Sequence, residues 1–131
     1  MFNDGMNDCA AAVSKCRSIE QARLYMAPPE RRHADKRYGM AALSRRAALT
    51  QPVCDCYAYG LLASGHCDLV VESGLEPFDY LPLVPVINGA GGWMTDWSGN
   101  PLSLNSDGRV IAAASKPLLE AAIDVLTSFK P

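Results

Sequence analysis

The second half of the chain alternates, over short distances, between runs patterned as strands and runs patterned as helices. "CDLVVE" (67–72) has the β-branched content of a buried strand, and "WMTDW" (93–97) and "RVIAAA" (109–114) read as further strands. Between and after them, "CYAYGLLASG" (56–65) reads as a helix capped by Asp55 and stopped by Gly65, and "KPLLEAAIDVLTSF" (116–129) as a terminal helix with Pro117 near its first turn. A helix also starts near Asp79; Pro82 suits its first turn, but Pro85 removes a backbone donor and predicts a kink. Such alternation predicts an α/β fold, a layered sandwich in which helices flank a central mixed, largely parallel sheet.

The first half is less regular. Residues 1–8 are polar and turn-rich and are expected to be loose or foreign to the natural chain. "AAAVSKC" (10–16) predicts a short strand, and Ser18 with Gln21 a capping box on a short helical turn that leads into the strand "ARLYM" (22–26). "APPE" (27–30) breaks the chain. "HADKRYGMAALSRRA" (33–47) predicts an amphipathic helix despite Gly39, and "ALTQPV" (48–53) a strand.

Size and composition narrow the function. The 131 residues suit a single α/β domain spanning 1–131, and 49% hydrophobic content provides for a core. A net charge of −2 speaks against bulk attraction to nucleic acid or to anionic membranes. No apolar run reaches the roughly 18 residues a membrane span needs, and nothing resembles a signal peptide. Five cysteines, an odd and unevenly spaced set, predict reduced thiols and a cytoplasmic location rather than a disulfide framework.

Two acids and a glycine cluster carry the chemistry. Asp79 at a helix start is ordinarily a cap, Glu72 at a strand end ordinarily a solvated edge residue, and "GAGG" (89–92) a helix stop without dinucleotide-loop spacing. Their order and spacing say more than each alone. "ESGLEPFD" followed by "GAGGWMTDWSG" resembles the Glu-x-Gly…Pro-aromatic-Asp and Glu-Ala-Gly-Gly…Thr-Asp segments of the inositol monophosphatase superfamily, in its C-terminal half. "CDCYAYGLLASGHCDLVVESGL" looks most like the histidinol-phosphatase branch of that superfamily.

The resemblance implies a magnesium-dependent phosphomonoesterase acting on a small phosphate monoester, histidinol phosphate in preference to inositol phosphate. It makes Asp79 a metal ligand, Glu72 the acid that meets a substrate hydroxyl or amine, and Cys54 and Asp55 part of a substrate-facing loop. Where many members carry small residues in that loop, this chain has Val53, Cys54 and Asp55, which suits an amine- or imidazole-bearing substrate. Asp96 reads as the cap of a turn. The other metal ligands of the family come from an acidic "GEE" loop and a "DPxDGT" segment. Neither occurs in these 131 residues: there is no Glu-Glu pair, and Asp4-Gly5 and Asp107-Gly108 lack a preceding Asp-Pro. No complete catalytic set is therefore expected here. The face that the missing motifs would cover is expected to be apolar and to drive association, most simply as a homodimer. The alternative is a non-catalytic binding or assembly module that uses this same orphaned face.

Two further constellations are weighed against these. Cys54, Cys56, His66 and Cys67 have poor spacing for zinc, and His66 and Cys67 point to opposite strand faces, so core thiols are expected. The basic residues Arg31, Arg32, His33, Lys36, Arg37, Arg45 and Arg46 read as a solvated helix face rather than a nucleic-acid grip.

Overall fold

The computed structural model of the chain describes residues 2–3, 8–9, 12–26, 34–52 and 56–128. Five strands form one mixed sheet: β3 (Arg23–Met26), β4 (Leu49–Pro52), β5 (Leu69–Glu72), β6 (Trp93–Thr95) and β7 (Val110–Ala113), in the order β4-β3-β5-β7-β6. The β4, β3 and β5 strands run parallel, whereas β7 lies antiparallel to both β5 and β6. The predicted mixed sheet is thus correct, with antiparallel pairing confined to the β7 ladders. Ahead of it, Phe2–Asn3 (β1) and Asp8–Cys9 (β2) pair antiparallel.

Strand side chains alternate between two separate cores, as the pleat requires. Leu24, Leu69, Val71, Ile111 and Ala113 face one core, under α1 (Ala34–Arg46) and α5 (Lys116–Thr127). Val70, Val110 and Ala112 face the other, under α2 (Tyr57–Ala63) and α4 (Val84–Gly89). All four residues of β5 and of β7 are buried, which only central strands covered on both faces achieve. Pro52, which cannot donate to a ladder, closes the edge strand β4.

The helices follow their sequence signals. Leu118, Leu119, Ala122, Val125 and Leu126 are buried at one-turn spacing along α5. Its N-cap Ser115 accepts from the Leu118 amide at 3.3 Å and donates to the Cys16 carbonyl at 2.8 Å. The interruption expected at Pro85 falls earlier: α3 (Pro77–Tyr80) gives way to a 3-10 turn at Leu81–Leu83, around Pro82, and Pro85 sits in the first turn of α4, where its missing amide costs no helical hydrogen bond. Gly65 ends the α2 region at φ 85°, a left-handed conformation open to glycine at little steric cost. The N-cap position of α2 is Cys56 rather than Asp55, which lies outside the described residues.

Two expectations fail. Of the strand expected at 10–16, the described residues 12–16 form none; Val13 donates instead to the Ala90 carbonyl, in a loop, at 3.0 Å. The Ser18–Gln21 capping box does not form: the turn is a three-residue 3-10 helix, Ile19–Gln21, and the Ser18 side chain makes no cap bond. The Gln21 amide that such a box would use donates instead to the Ser18 carbonyl at 3.3 Å, the i→i+3 bond of a 3-10 turn, and burial of Ile19 anchors the turn. Among the described residues, no helix is long and apolar enough to cross a membrane.

Gly39 shows why a glycine sits inside α1. A Cβ there would lie 2.8 Å from the Leu126 carbonyl oxygen, so α1 and α5 touch backbone to backbone. In an open helix Gly→Ala gains about 1 kcal/mol. At this contact the sign reverses, and Gly39→Ala is expected to cost about 1–2 kcal/mol, because overpacking outweighs propensity. Chemical denaturation of the variant checks this; any net stabilisation contradicts the contact.

Candidate active site

The two acids singled out in the sequence lie at the same end of β5. Glu72 terminates that strand and is 9% exposed. Tyr59, on α2, is 1% exposed, and its hydroxyl donates to Glu72 Oε1 at 2.6 Å. Asp79 is exposed in the first turn of α3. Burial first, then the negative charge of Glu72, their mutual hydrogen bond and the charge of Asp79 push the Tyr59 phenol far above its ordinary pKa. A buried hydroxyl thus meets Glu72 at the strand end, while Asp79, seven residues further on, lies open to solvent.

The loop between them is held from the opposite side. Leu75 donates its amide to the Gly108 carbonyl at 3.1 Å. Gly108 has φ 85°, and a Cβ there would come within 2.5 Å of the Leu75 oxygen. Asp79 itself acts first as a cap: its Oδ2 accepts from the Glu76 amide at 2.9 Å. Capping and ligation are compatible, since a carboxylate has about four lone-pair directions. Asp96 is a turn cap as expected, its Oδ1 accepting from Ser98 and Asn100 at 2.8 and 2.9 Å.

Magnesium prefers near-octahedral oxygen coordination. Asp79 offers one suitable oxygen donor, but among the described residues no group of three or more His, Cys, Asp or Glu could hold a metal ion. The substrate-facing candidates Cys54 and Asp55, with Val53, lie outside the described residues.

Of the thiols expected in the core, Cys56 is exposed and Cys54 lies outside the described residues. Cys67 is buried, and burial lifts its thiol to about 11, far from nucleophilic at neutral pH. His66 is exposed and shares a 3.0 Å hydrogen bond with Ser64. Arg45 and Arg46 are exposed, and Arg46 pairs with Glu20 at 2.8 Å. Lys36 and Arg37 belong to α1, while Arg31, Arg32 and His33 lie outside the described residues.

Sequence reasoning missed two residues. Tyr59 lies thirteen positions before Glu72, a separation that no periodicity relates, although its place inside a helix facing the strand was a usable signal. Asp68 was missed altogether. It is 2% exposed and is held at the start of β5 by Arg23, whose backbone amide (2.8 Å), Nε (2.9 Å) and Nη2 (3.1 Å) all donate to it, and by the Ser14 hydroxyl. Burial alone would raise its pKa, but the hydrogen bonds from Arg23 and Ser14 outweigh that and hold the carboxyl below its ordinary range.

Comparison with known proteins places this site in a family. The model of the inositol monophosphatase family matches residues 3–128. The chain belongs to the inositol monophosphatase family. A bifunctional phosphatase, IMPL2, from Arabidopsis thaliana is 45% identical over 105 residues, covering 79% of this chain and 30% of its own. A histidinol-phosphatase from Chlorobaculum parvum is 33% identical over 58 residues, covering 44% of this chain and 22% of its own. An inositol monophosphatase structure from Zymomonas mobilis superposes with TM-score 0.82 at 38% identity, over 88% of this chain and 46% of that one. An IMPase/NADP phosphatase complexed with Mg2+ and phosphate shares the fold, with TM-score 0.75 at 14% identity over 97% of this chain and 46% of its own. The chain therefore spans half or less of the relatives it matches.

The low pKa of Asp68 sets an acid dependence. Its stabilising contribution is complete above the unfolded carboxyl value of about 3.9 and is lost as pH falls through the lower native value. Asp68→Asn is expected to cost about 2–3 kcal/mol at pH 7, less than a fully buried pair because Arg23 is partly solvated. Urea denaturation should show that deficit shrinking between pH 7 and pH 3. A deficit independent of pH would contradict the ion pair.

Proposed function

We propose that this chain is the substrate-binding and second-metal half of a magnesium-dependent phosphomonoesterase, forming one α/β domain and corresponding to the C-terminal half of the family fold. In this reading Asp79 ligates a magnesium ion, and Glu72, with Asp55 and Cys54 from the neighbouring loop, meets the alcohol portion of the ester. The observation that carries it is the placing of the two acids: Glu72 buried at the end of β5 against the Tyr59 hydroxyl, and Asp79 exposed in the first turn of α3. Family membership and the matching spacing of both acids support it. Bound magnesium would polarise the phosphoryl oxygens and lower the pKa of a water.

Histidinol phosphate is the preferred substrate of this reading, and inositol phosphate the second. The likeness to a histidinol-phosphatase supports that order, as does a carboxylate in the substrate loop where a cationic imidazole or amine would pair with it. Unpaired Cys16, Cys56 and Cys67 suit a reducing, cytoplasmic setting.

A second reading, a non-catalytic assembly module, is favoured by exposed apolar side chains on the helical layer that covers the α2/α4 core. Tyr57, Phe78 and Val86 are 67%, 77% and 50% exposed. Such a surface also supports a homodimer, for which light scattering is the direct measurement.

Phosphate release from histidinol phosphate in the presence of Mg2+ tests the main reading. The 131-residue chain alone is expected to give no turnover above background. Joined with a polypeptide that carries the "GEE" and "DPxDGT" segments, it should turn over, and Asp79→Asn should lower that rate at least 100-fold. Turnover by the chain alone overturns the half-site reading; a complemented pair indifferent to Asp79→Asn overturns the ligand assignment.

A further inference from the structure

We propose that Tyr59 is a positioning residue for Glu72, fixing the orientation in which that carboxylate meets the hydroxyl or ammonium group of a small phosphate ester; this rests on the phosphomonoesterase reading above. The hydrogen bond is short, at 2.6 Å, buried, and made to an ionisable acceptor. Bonds of this charge-assisted kind are about twice as strong as neutral ones. A carboxylate 9% exposed is costly unless donors surround it, so the phenol also offsets the cost of holding Glu72 away from water.

The local architecture makes the arrangement directional. Tyr59 stands on α2, which packs against β5 and β7, and its rigid ring bridges the distance from helix axis to strand end. Burial and the two carboxylates keep the phenol protonated across the working range. It is consequently a donor at every accessible pH and never competes with Glu72 for a proton. A carboxylate whose Oε1 is engaged this way has its plane set, which limits the directions from which a ligand's N–H or O–H can approach.

A second buried tyrosine in the same layer supplies the contrast. Tyr80 is likewise buried, at 0% exposed, but its hydroxyl donates to the Ser103 carbonyl and ties a loop. Of these two phenols, only that of Tyr59 is bonded to an acid. Loss of the Tyr80 hydroxyl therefore reports what a purely structural tyrosine contributes.

The test uses the 131-residue chain with histidinol as probe and the carboxyl 13C resonance of Glu72 as readout. Histidinol should shift that resonance in the wild type. Tyr59→Phe should raise the Glu72 titration midpoint and weaken histidinol binding about tenfold. Tyr80→Phe should leave both unchanged. An unmoved midpoint in Tyr59→Phe, or binding of wild-type strength, overturns the positioning role. Should Tyr59→Phe not fold, the Tyr59 Cζ resonance of the wild type must follow the Glu72 titration, and a signal indifferent to it likewise overturns the role. A wild type whose Glu72 ignores histidinol overturns instead the substrate reading on which the role depends.

Discussion

The Asp68 clasp is the constraint on which the remainder of the structure rests. A carboxylate 2% exposed cannot be tolerated unpaired, and here it collects donors from two parts of the chain distant in sequence. Arg23 belongs to β3 and Ser14 to the extended segment before it. The Arg23 guanidinium also reaches the Gly65 carbonyl at 2.9 Å, where α2 ends. The Asp68 backbone adds two ties: its amide donates to the Arg23 carbonyl, and its carbonyl accepts from Ala114, both at 3.0 Å. One residue thus registers β5 against β3 on one side and β7 on the other. A strand slipped by a single position would turn every buried side chain to the wrong core, so such an anchor governs both faces at once.

That anchor acts at a distance on the candidate site. At about 3.3 Å per residue, Glu72 lies roughly 13 Å along β5 from Asp68, at the opposite end of the strand. Register set at Asp68 determines which way Glu72 faces, and it faces α2, where Tyr59 waits. Gly108 then fixes the loop that leads from β5 to α3, through the Leu75 backbone.

Much of this was legible because the signals were local. The β-branched run in β5 and the one-turn spacing of α5 each express their physics within a few residues, and each appears where expected. Glu72 and Asp79 were legible through motif spacing alone. What escaped depends on partners distant in sequence. Gly39 looks like a weakness within its helix until Leu126 is packed on it. Asp68 looks like a polar strand start until Arg23 arrives, forty-five positions away. Residues 10–16 had strand-like composition, but in the described part Val13 bonds to a loop carbonyl and Ser14 to Asp68 rather than to a neighbouring strand.

The contrast between the two acids has a physical logic within the proposed function. Magnesium gives up its waters reluctantly, so an exposed carboxylate at a helix start is a workable ligand for it, whereas a buried one would demand dehydration. Discrimination among alcohols needs the reverse environment. Hydrogen bonds and charge pairs strengthen as water is excluded, and a buried acceptor left unmatched by the wrong ligand is penalised. Glu72, enclosed with Tyr59, has that character; Asp79, open to solvent, does not. Exchanging their burial would weaken both tasks: a shielded Asp79 would meet a bare cation, and a solvated Glu72 would bind an inositol hydroxyl and a histidinol amine with little preference. The asymmetry that Tyr59 maintains is therefore what would allow two chemically similar carboxylates, seven residues apart, to do different work.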